Sequence, residues 1–339
     1  MMKKGIALLL MLTLAAGATV PAYAQDTAQS SDQKQTVEVS LGSIEDIMST
    51  YNLDVKTYEN SIRDAQHEKD TSDQDTDSAK DAYHLTQIEN EGNIRKAILS
   101  AKEDYLEFCA LNDKLVAAQT TAENARQALV VSQQSLSSGY ASQQTCDGLL
   151  DQYNEAQNNV NQINNQLIQM RKALKTTLNL PNGFTMDIKP VAEGDLDFSV
   201  IPSINYSADL IVMEGNSSAI KTALIHYNQA DDKVNTTNFA IENADIAVKQ
   251  TRTSEEAAFQ KLYDSMTSAY TVYQQALDQV QRKQAELTQE NKALSLGYSS
   301  QKSVDDKTKE LKTLQSTLAD DRNTLFTSYL SYINKKNGF

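Results

Sequence analysis

Apolar residues recur every seven positions through most of this chain. Ile94, Ala101, Phe108, Leu115, Ala122, Leu129 and Leu136 form one row, and Phe259, Met266, Tyr273, Val280, Leu287 and Leu294 form its counterpart. Two further rows match each other in the same way: Cys146, Tyr153, Val160, Leu167 and Leu174, then Val304, Leu311, Leu318, Leu325 and Tyr332. Leu149, Ala156, Ile163 and Met170 add a second stripe in the first half. A strict seven-residue repeat keeps one stripe against a partner helix and implies left-handed coiled-coil packing. The pattern predicts helices over 43–68, 79–138, 142–179, 207–232, 239–296 and 300–336.

The rows are interrupted twice by one short turn. Leu136, Ser137, Gly139, Tyr140, Ser142, Gln143 and Asp147 recur 158 positions later as Leu294, Ser295, Gly297, Tyr298, Ser300, Gln301 and Asp305. Glycine permits the positive φ at which a helix stops. The serine three residues on caps the helix that follows. The chain therefore reads as two copies of one helical hairpin.

The opposite turns are polar. Asp70-Thr71-Ser72-Asp73-Gln74-Asp75-Thr76-Asp77-Ser78 joins the first two helices, and Asn235-Thr236-Thr237-Asn238 is its counterpart. Such residues bond their own backbone and favour turns. One unbroken helix through each segment is the alternative.

Lengths suggest the architecture. A 60-residue helix is about 90 Å long. The two shorter helices of each half together reach the same length, so they should stack end to end beside it. Their free ends then meet partway along the rod. Three of the four prolines, Pro181, Pro190 and Pro202, fall in one window there. The segment 181–206 should form a belt around the middle.

Composition narrows the class. The 339 residues are 40% apolar, 6% aromatic and without Trp, which is poor in large core residues for an enzyme of this size. Residues 1–24 read as a signal peptide, with Lys3 and Lys4, an apolar run from Ile6 to Ala16 and Ala22-Tyr23-Ala24 as cleavage site. The apolar run is too short for a comfortable membrane span. Export to the cell envelope follows, to the outer membrane or periplasm if the host has two membranes. The formal charge of −14 argues against nucleic acid and anionic membrane surfaces as partners. Residues 25–42 read as a flexible N-terminal segment, 43–180 as the first hairpin repeat, 181–206 as the connector and 207–339 as the second repeat.

Candidate chemistry is thin. Cys109 lies far up the helix before the first tip glycine, whereas Cys146 follows that glycine closely. In a straight hairpin they sit about 35 Å apart, beyond bridging distance. Cys146 occupies the heptad slot of Val304 and reads as a small core residue. His67, His84 and His226 are scattered, and the Asp-rich stretch 70–77 lacks the Gly and terminal Glu of a calcium loop. There is no phosphate loop, zinc-protease motif or nucleophile elbow. No catalytic residue, metal or cofactor is expected, and the chain reads as a non-enzyme.

The arrangement resembles the TolC family of outer-membrane efflux and secretion channels over nearly the whole chain after the leader. Val37-Glu38-Val39-Ser40-Leu41 leading into Ile44-Glu45-Asp46-Ile47 looks like the family's opening segment. Leu178-Asn179-Leu180-Pro181-Asn182-Gly183 looks like its link between halves. The two Leu-x-x-Gly-Tyr-x-Ser turns look like its hairpin tips. The resemblance implies an all-α fold, a protomer of an α-helical barrel built from two tandem antiparallel coiled-coil hairpins. It implies a homotrimer that docks a periplasmic adaptor, or membrane fusion protein, coupled to an inner-membrane pump. The docking residues would be Ser138, Gly139, Tyr140 and Ser142 on one tip and Leu296, Gly297, Tyr298 and Ser300 on the other.

Two departures stand out. The family inserts a pair of membrane strands at each far turn, and here nothing alternates apolar and polar over about ten residues, as a lipid-facing strand must. The Asp usual six residues after the tip glycine is replaced by Thr145 and Ser303, so an acidic gating role there is not carried over. A different class therefore stays in view: a soluble exported coiled-coil scaffold derived from this fold, without channel activity.

Overall fold

The computed structural model describes residues 35–71, 77–191, 197–232 and 236–339. The expected signal peptide at 1–24, most of the 25–42 segment, part of the 181–206 connector and parts of both far turns lie outside the described residues. The elements in order are β1 (Thr36–Val39), α1 (Ile44–Tyr51), α2 (Leu53–Thr71), α3 (Asp77–Ser137), α4 (Gln143–Thr177) and β2 (Thr185–Ile188). A single 3-10 turn follows at Ile201–Ser203, then α5 (Tyr206–Asn216), α6 (Ser218–Asp231), α7 (Asn238–Ser295) and α8 (Gln301–Lys336).

The long helices are α3, with 61 residues, and α7, with 58. At about 1.5 Å per residue each is roughly 90 Å long. The predicted heptad rows hold them to their neighbours. Ala101, Ala122 and Leu129 are buried on α3, and Cys146, Val160 and Leu174 face them from α4. Phe259 and Met266 on α7, with Val304, Leu311, Leu325 and Tyr332 on α8, do the same in the second half.

Two expected helices are each broken in two. The stretch 43–68 splits at Asn52, and 207–232 splits at Ser217. Asn52 accepts the Val55 amide at 2.9 Å through its side chain, while its own backbone is extended at φ −73, ψ 121. Ser217 accepts the Ile220 amide at 3.3 Å with φ −49, ψ 118. A side chain that caps the next helix competes with continuing the previous one, which is why the chain turns at these residues.

The breaks are where the free ends meet. Asn52 donates its amide to the Thr177 carbonyl at 2.7 Å, and Asn179 donates to the Tyr51 carbonyl at 3.0 Å. α2 thus continues the line of α4 along one side of α3. In the second half the Ser218 amide donates to the Gly338 carbonyl at 2.9 Å, so α6 continues the line of α8. α2 packs along α3 and α6 along α7, so the chain reverses at both far turns.

A second correction concerns the opening segment. Residues 36–39 are strand, where frayed polar chain was expected. β1 pairs in parallel with β2, Thr36 opposite Thr185 and Val39 opposite Ile188. Val39 is fully buried, and Leu41, Ile44 and Met48 continue its packing into the main core. The apolar members of 37–47 supply enough burial to order a short run in polar surroundings. The ribbon joins β2, from the 181–206 connector, to β1, from outside it. It packs over the middle of the rod: Tyr105 on α3 donates its hydroxyl to the Lys189 carbonyl at 3.0 Å.

Candidate functional site

Both tips have the same geometry, as the repeat requires. Gly139 has φ 77 and Gly297 has φ 78, the left-handed region. The amide of Tyr140 bonds the Ser135 carbonyl at 2.8 Å, and Tyr298 bonds the Ala293 carbonyl at 2.8 Å. These are the long-reach bonds of a Schellman ending. Ser142 caps α4 by accepting the Thr145 amide at 3.1 Å, and Ser300 caps α8 by accepting the Ser303 amide at 3.2 Å. Ser138 donates its hydroxyl back to Gln134. The result is two rigid, polar-capped turns that each hold an aromatic ring out. Tyr140 is 89% exposed and Tyr298 85%, with Leu296 beside it at 60%.

The tips project from one end of the molecule. α3 runs toward the first and α8 runs away from the second, and the two helices pack side by side. Lys114 pairs with Asp320 at 2.9 Å, and Asn323 donates to the Leu106 carbonyl at 2.9 Å. The stretch from Lys114 to Gly139 is nearly as long as the stretch from Gly297 to Asp320. At about 1.5 Å per residue the tips are level within roughly 3 Å.

They differ in charge. In the second hairpin the Glu290 carboxylate accepts the Ser303 hydroxyl at 2.5 Å and also that of Ser299. These bonds hold its pKa below the usual carboxylate range, Ser299 contributing most. Position 303 is Ser, and Glu290 brings a carboxylate against it. The equivalent position in the first hairpin is Ser132, which meets the Cys146 sulfur at 3.1 Å. Sequence reading missed Glu290 because it lies before its tip glycine and outside the repeated motif. Cys146 and Cys109 are both buried free thiols.

Between the tips and the belt the helices form an open layer. α4 packs on α3, α3 on α8, and α8 on α7. α4 and α7 are its two edges. One face of the layer carries the β1–β2 ribbon. The other is a shallow trough along α3. Near the middle a hollow of about 560 Å³ is lined by Glu103, Glu107, Lys114, Asp320, Thr324 and Thr327. Nearer the tips a hollow of about 800 Å³ is lined by Thr121, Asn124, Ala128, Gln152, Asn159 and Lys302, among others. Burial raises the pKa of Glu103, with Asp104 beside it adding to the shift. Both hollows are shallow and open, and their polar side chains are interleaved with apolar ones, Leu106, Ala110 and Leu111 in the first and Leu149 and Ala156 in the second. Among the described residues no group of His, Cys, Asp and Glu is placed to hold a metal ion. Among them, too, no helix is long and apolar enough to cross a membrane.

No protein-family model matches the chain, and no curated protein matches it in sequence. Solved structures do match. CusC, described for its transmembrane channel formation, superposes with a TM-score of 0.62 at 13% identity, over 89% of this chain and 93% of that one. The outer membrane protein VceC of Vibrio cholerae matches with a TM-score of 0.56 at 9% identity, over 88% and 96%. The CmeC outer membrane channel of Campylobacter jejuni matches with a TM-score of 0.57 at 11% identity, over 95% and 94%. All three are TolC-family outer membrane efflux channels.

Proposed function

The fold is that of the TolC-family channels, and we propose that the chain works as one of them: a subunit of an envelope efflux or secretion conduit without chemistry of its own. The observation that carries the reading is the open layer. A self-contained four-helix bundle would close α4 against α7 around one core, whereas here they are opposite edges. An open curved layer with two unlike edges is what a ring of copies needs. Three copies would supply twelve helices. With neighbours roughly 10 Å apart, the ring would be about 38 Å across between axes, with a bore of roughly 25–30 Å. The belt covers one face of the layer, so an open bore places the belt outside and the trough of mixed polar and apolar side chains inside.

The tips are the proposed adaptor seat. Ser138, Gly139, Tyr140 and Ser142, with Leu296, Gly297, Tyr298 and Ser300, lie at one end, and their exposed rings have no packing role within the chain. The far end differs from the family pattern. Five residues separate α2 from α3 and six separate α6 from α7, fewer than the roughly 9–11 of one membrane-crossing strand. The conduit is therefore read as a barrel-less member of the cell envelope, secured through its partners.

The test is the mass of residues 25–339 by light scattering, from micromolar to millimolar, without detergent, and then with a periplasmic adaptor protein added. The expected result is a trimer that binds the adaptor through its tips. Tyr140→Ala with Tyr298→Ala should keep the trimer and lose the adaptor. A monomer under every condition, adaptor included, would favour the scaffold reading instead.

A further inference from the structure

The two joints between stacked helices are filled differently. After α4 the chain turns Leu178 and Leu180 into the core, both buried. The repeat places Lys336 and Gly338 at the same positions after α8. Lys336 turns to Asp209 at 2.7 Å, and Gly338 has no side chain to offer. The second joint therefore lacks the two apolar side chains that finish the first.

Beside it lies a hollow of about 390 Å³, between α3, the end of α8 and the start of α6. Its apolar walls are Ile88 and Leu99 of α3, Leu262 of α7 and Phe339. The volume is in the range of small-molecule sites. Ile88, Gly92, Arg95 and Leu99 follow helical spacing and share one face of α3. Gly92 is the only glycine in α3. Glycine weakens a helix interior, and a Cβ there would meet no atom within 4 Å. Packing does not demand it, and its missing side chain leaves the hollow open.

The rim is cationic, in a chain of formal charge −14. Arg95 and Lys96 are exposed on it. Among the described residues neither has a hydrogen-bond or ion-pair partner, and Arg95 instead lies over the Phe339 ring, 4.1 Å from its centroid. Lys335 also lines the hollow but is held by Glu255 at 2.6 Å. Glu89 is the one carboxylate in the lining, and it is exposed.

We infer that the second joint binds an amphipathic anion, a flat aryl body carrying one carboxylate or sulfonate. The aryl body packs against Ile88, Leu99, Leu262 and the Phe339 ring. The acid group takes the Arg95 fork and the Lys96 ammonium, which have no acid of the chain to compete for them. Every wall comes from one chain, so the site stands apart from the ring reading and needs no second copy. The hollow is open on one side, so affinity in the micromolar range is expected.

Fluorescence titration of residues 25–339 tests the site with two dyes that share an aryl body: anilinonaphthalene sulfonate, an anion, and phenylnaphthylamine, which is neutral. The sulfonate should bind at one equivalent per chain and more tightly than the neutral dye. Arg95→Gln with Lys96→Gln should weaken the sulfonate at least tenfold and leave the neutral dye within twofold. Gly92→Leu puts a side chain into the hollow and strengthens the helix. Both dyes should then be lost while the melting temperature holds or rises. Several equivalents per chain, equal weakening of both dyes by the double variant, or unchanged binding in Gly92→Leu would overturn the site. So would a native chain that binds no sulfonate at millimolar dye. None of these results bears on whether copies assemble, which light scattering reads separately.

Discussion

Asn52 and Ser217 occupy the same place in the two halves, and each ends one helix while capping the next. Both are buried, at 8% and 1% exposure. Each also ties the break to a distant element. Asn52 reaches the end of α4 at Thr177, and Ser217 donates to Glu255 on α7 at 2.6 Å. The duplicated joints show that the end-to-end stacking of short helices is built into the repeat rather than into either copy.

Asn52→Ala removes a cap and leaves the Thr177 carbonyl without its partner. A loss of about 1–3 kcal/mol is expected in urea unfolding. Ser217→Ala should cost less, because Glu255 keeps Lys335 at 2.6 Å.

Gly338 closes the second joint and tolerates nothing larger. Its φ is 101, and a Cβ there would overlap the Asn216 carbonyl. Gly338→Ala should lower the melting temperature measurably, by the equivalent of about 1–3 kcal/mol. Gly183→Ala, with nothing within 4 Å of the new carbon, is the control and should change little.

At the tips the demand on glycine is conformational alone, because a Cβ at Gly139 or Gly297 meets no atom within 4 Å. Alanine at either should cost about 1 kcal/mol for the left-handed backbone. Asparagine, which visits that region more readily, should cost less. Equal losses from Ala and Asn in thermal melts would contradict this account.

The Glu290 contacts give the second tip a pH dependence that the first lacks. Its folded pKa is lowered by Ser299 and Ser303, so its stabilisation is present above the unfolded carboxylate pKa and is lost as pH falls through the folded value. Amide protection at 297–303, taken relative to the intrinsic exchange rate at each pH, should fall on acidification below about pH 4, while that at 139–145 changes less. Glu290→Gln should remove the difference between the two tips.

Tyr332 provides an alkaline marker in the core. It is fully buried, and burial pushes its phenol far above the usual range, reinforced by its bond to Asp209 at 2.7 Å. Because the folded pKa is raised, stability is unaffected below about pH 10 and falls as the unfolded phenol ionises above it. Tyr332→Phe should cost about 1–2 kcal/mol at neutral pH and shift alkaline unfolding upward.

The heptad rows and the two Gly-Tyr turns carried most of the fold in the sequence. A seven-residue repeat and a positive-φ glycine are local signals, readable without knowing what they pack against. The joints were not local. Gly215-Asn216-Ser217-Ser218 is a turn-like cluster that helical periodicity overrode, and Asn52 stands alone between Tyr51 and Leu53 with no breaker beside it. β1 was hidden because its short run gains order only from β2, which lies beyond the whole first hairpin. At the tips, the positions were legible from the repeat, but Glu290 was not, since its relation to Ser303 crosses from one helix to the next.

The ribbon's place along α3 has a mechanical consequence. Among the described residues the β1–β2 ribbon packs onto the side of the helical rod partway along α3. Tyr105, which meets that ribbon, is about 50 Å from the first tip and about 40 Å from the start of α3. The run of α3 on either side of the ribbon is therefore fixed by where Tyr105 falls along that helix.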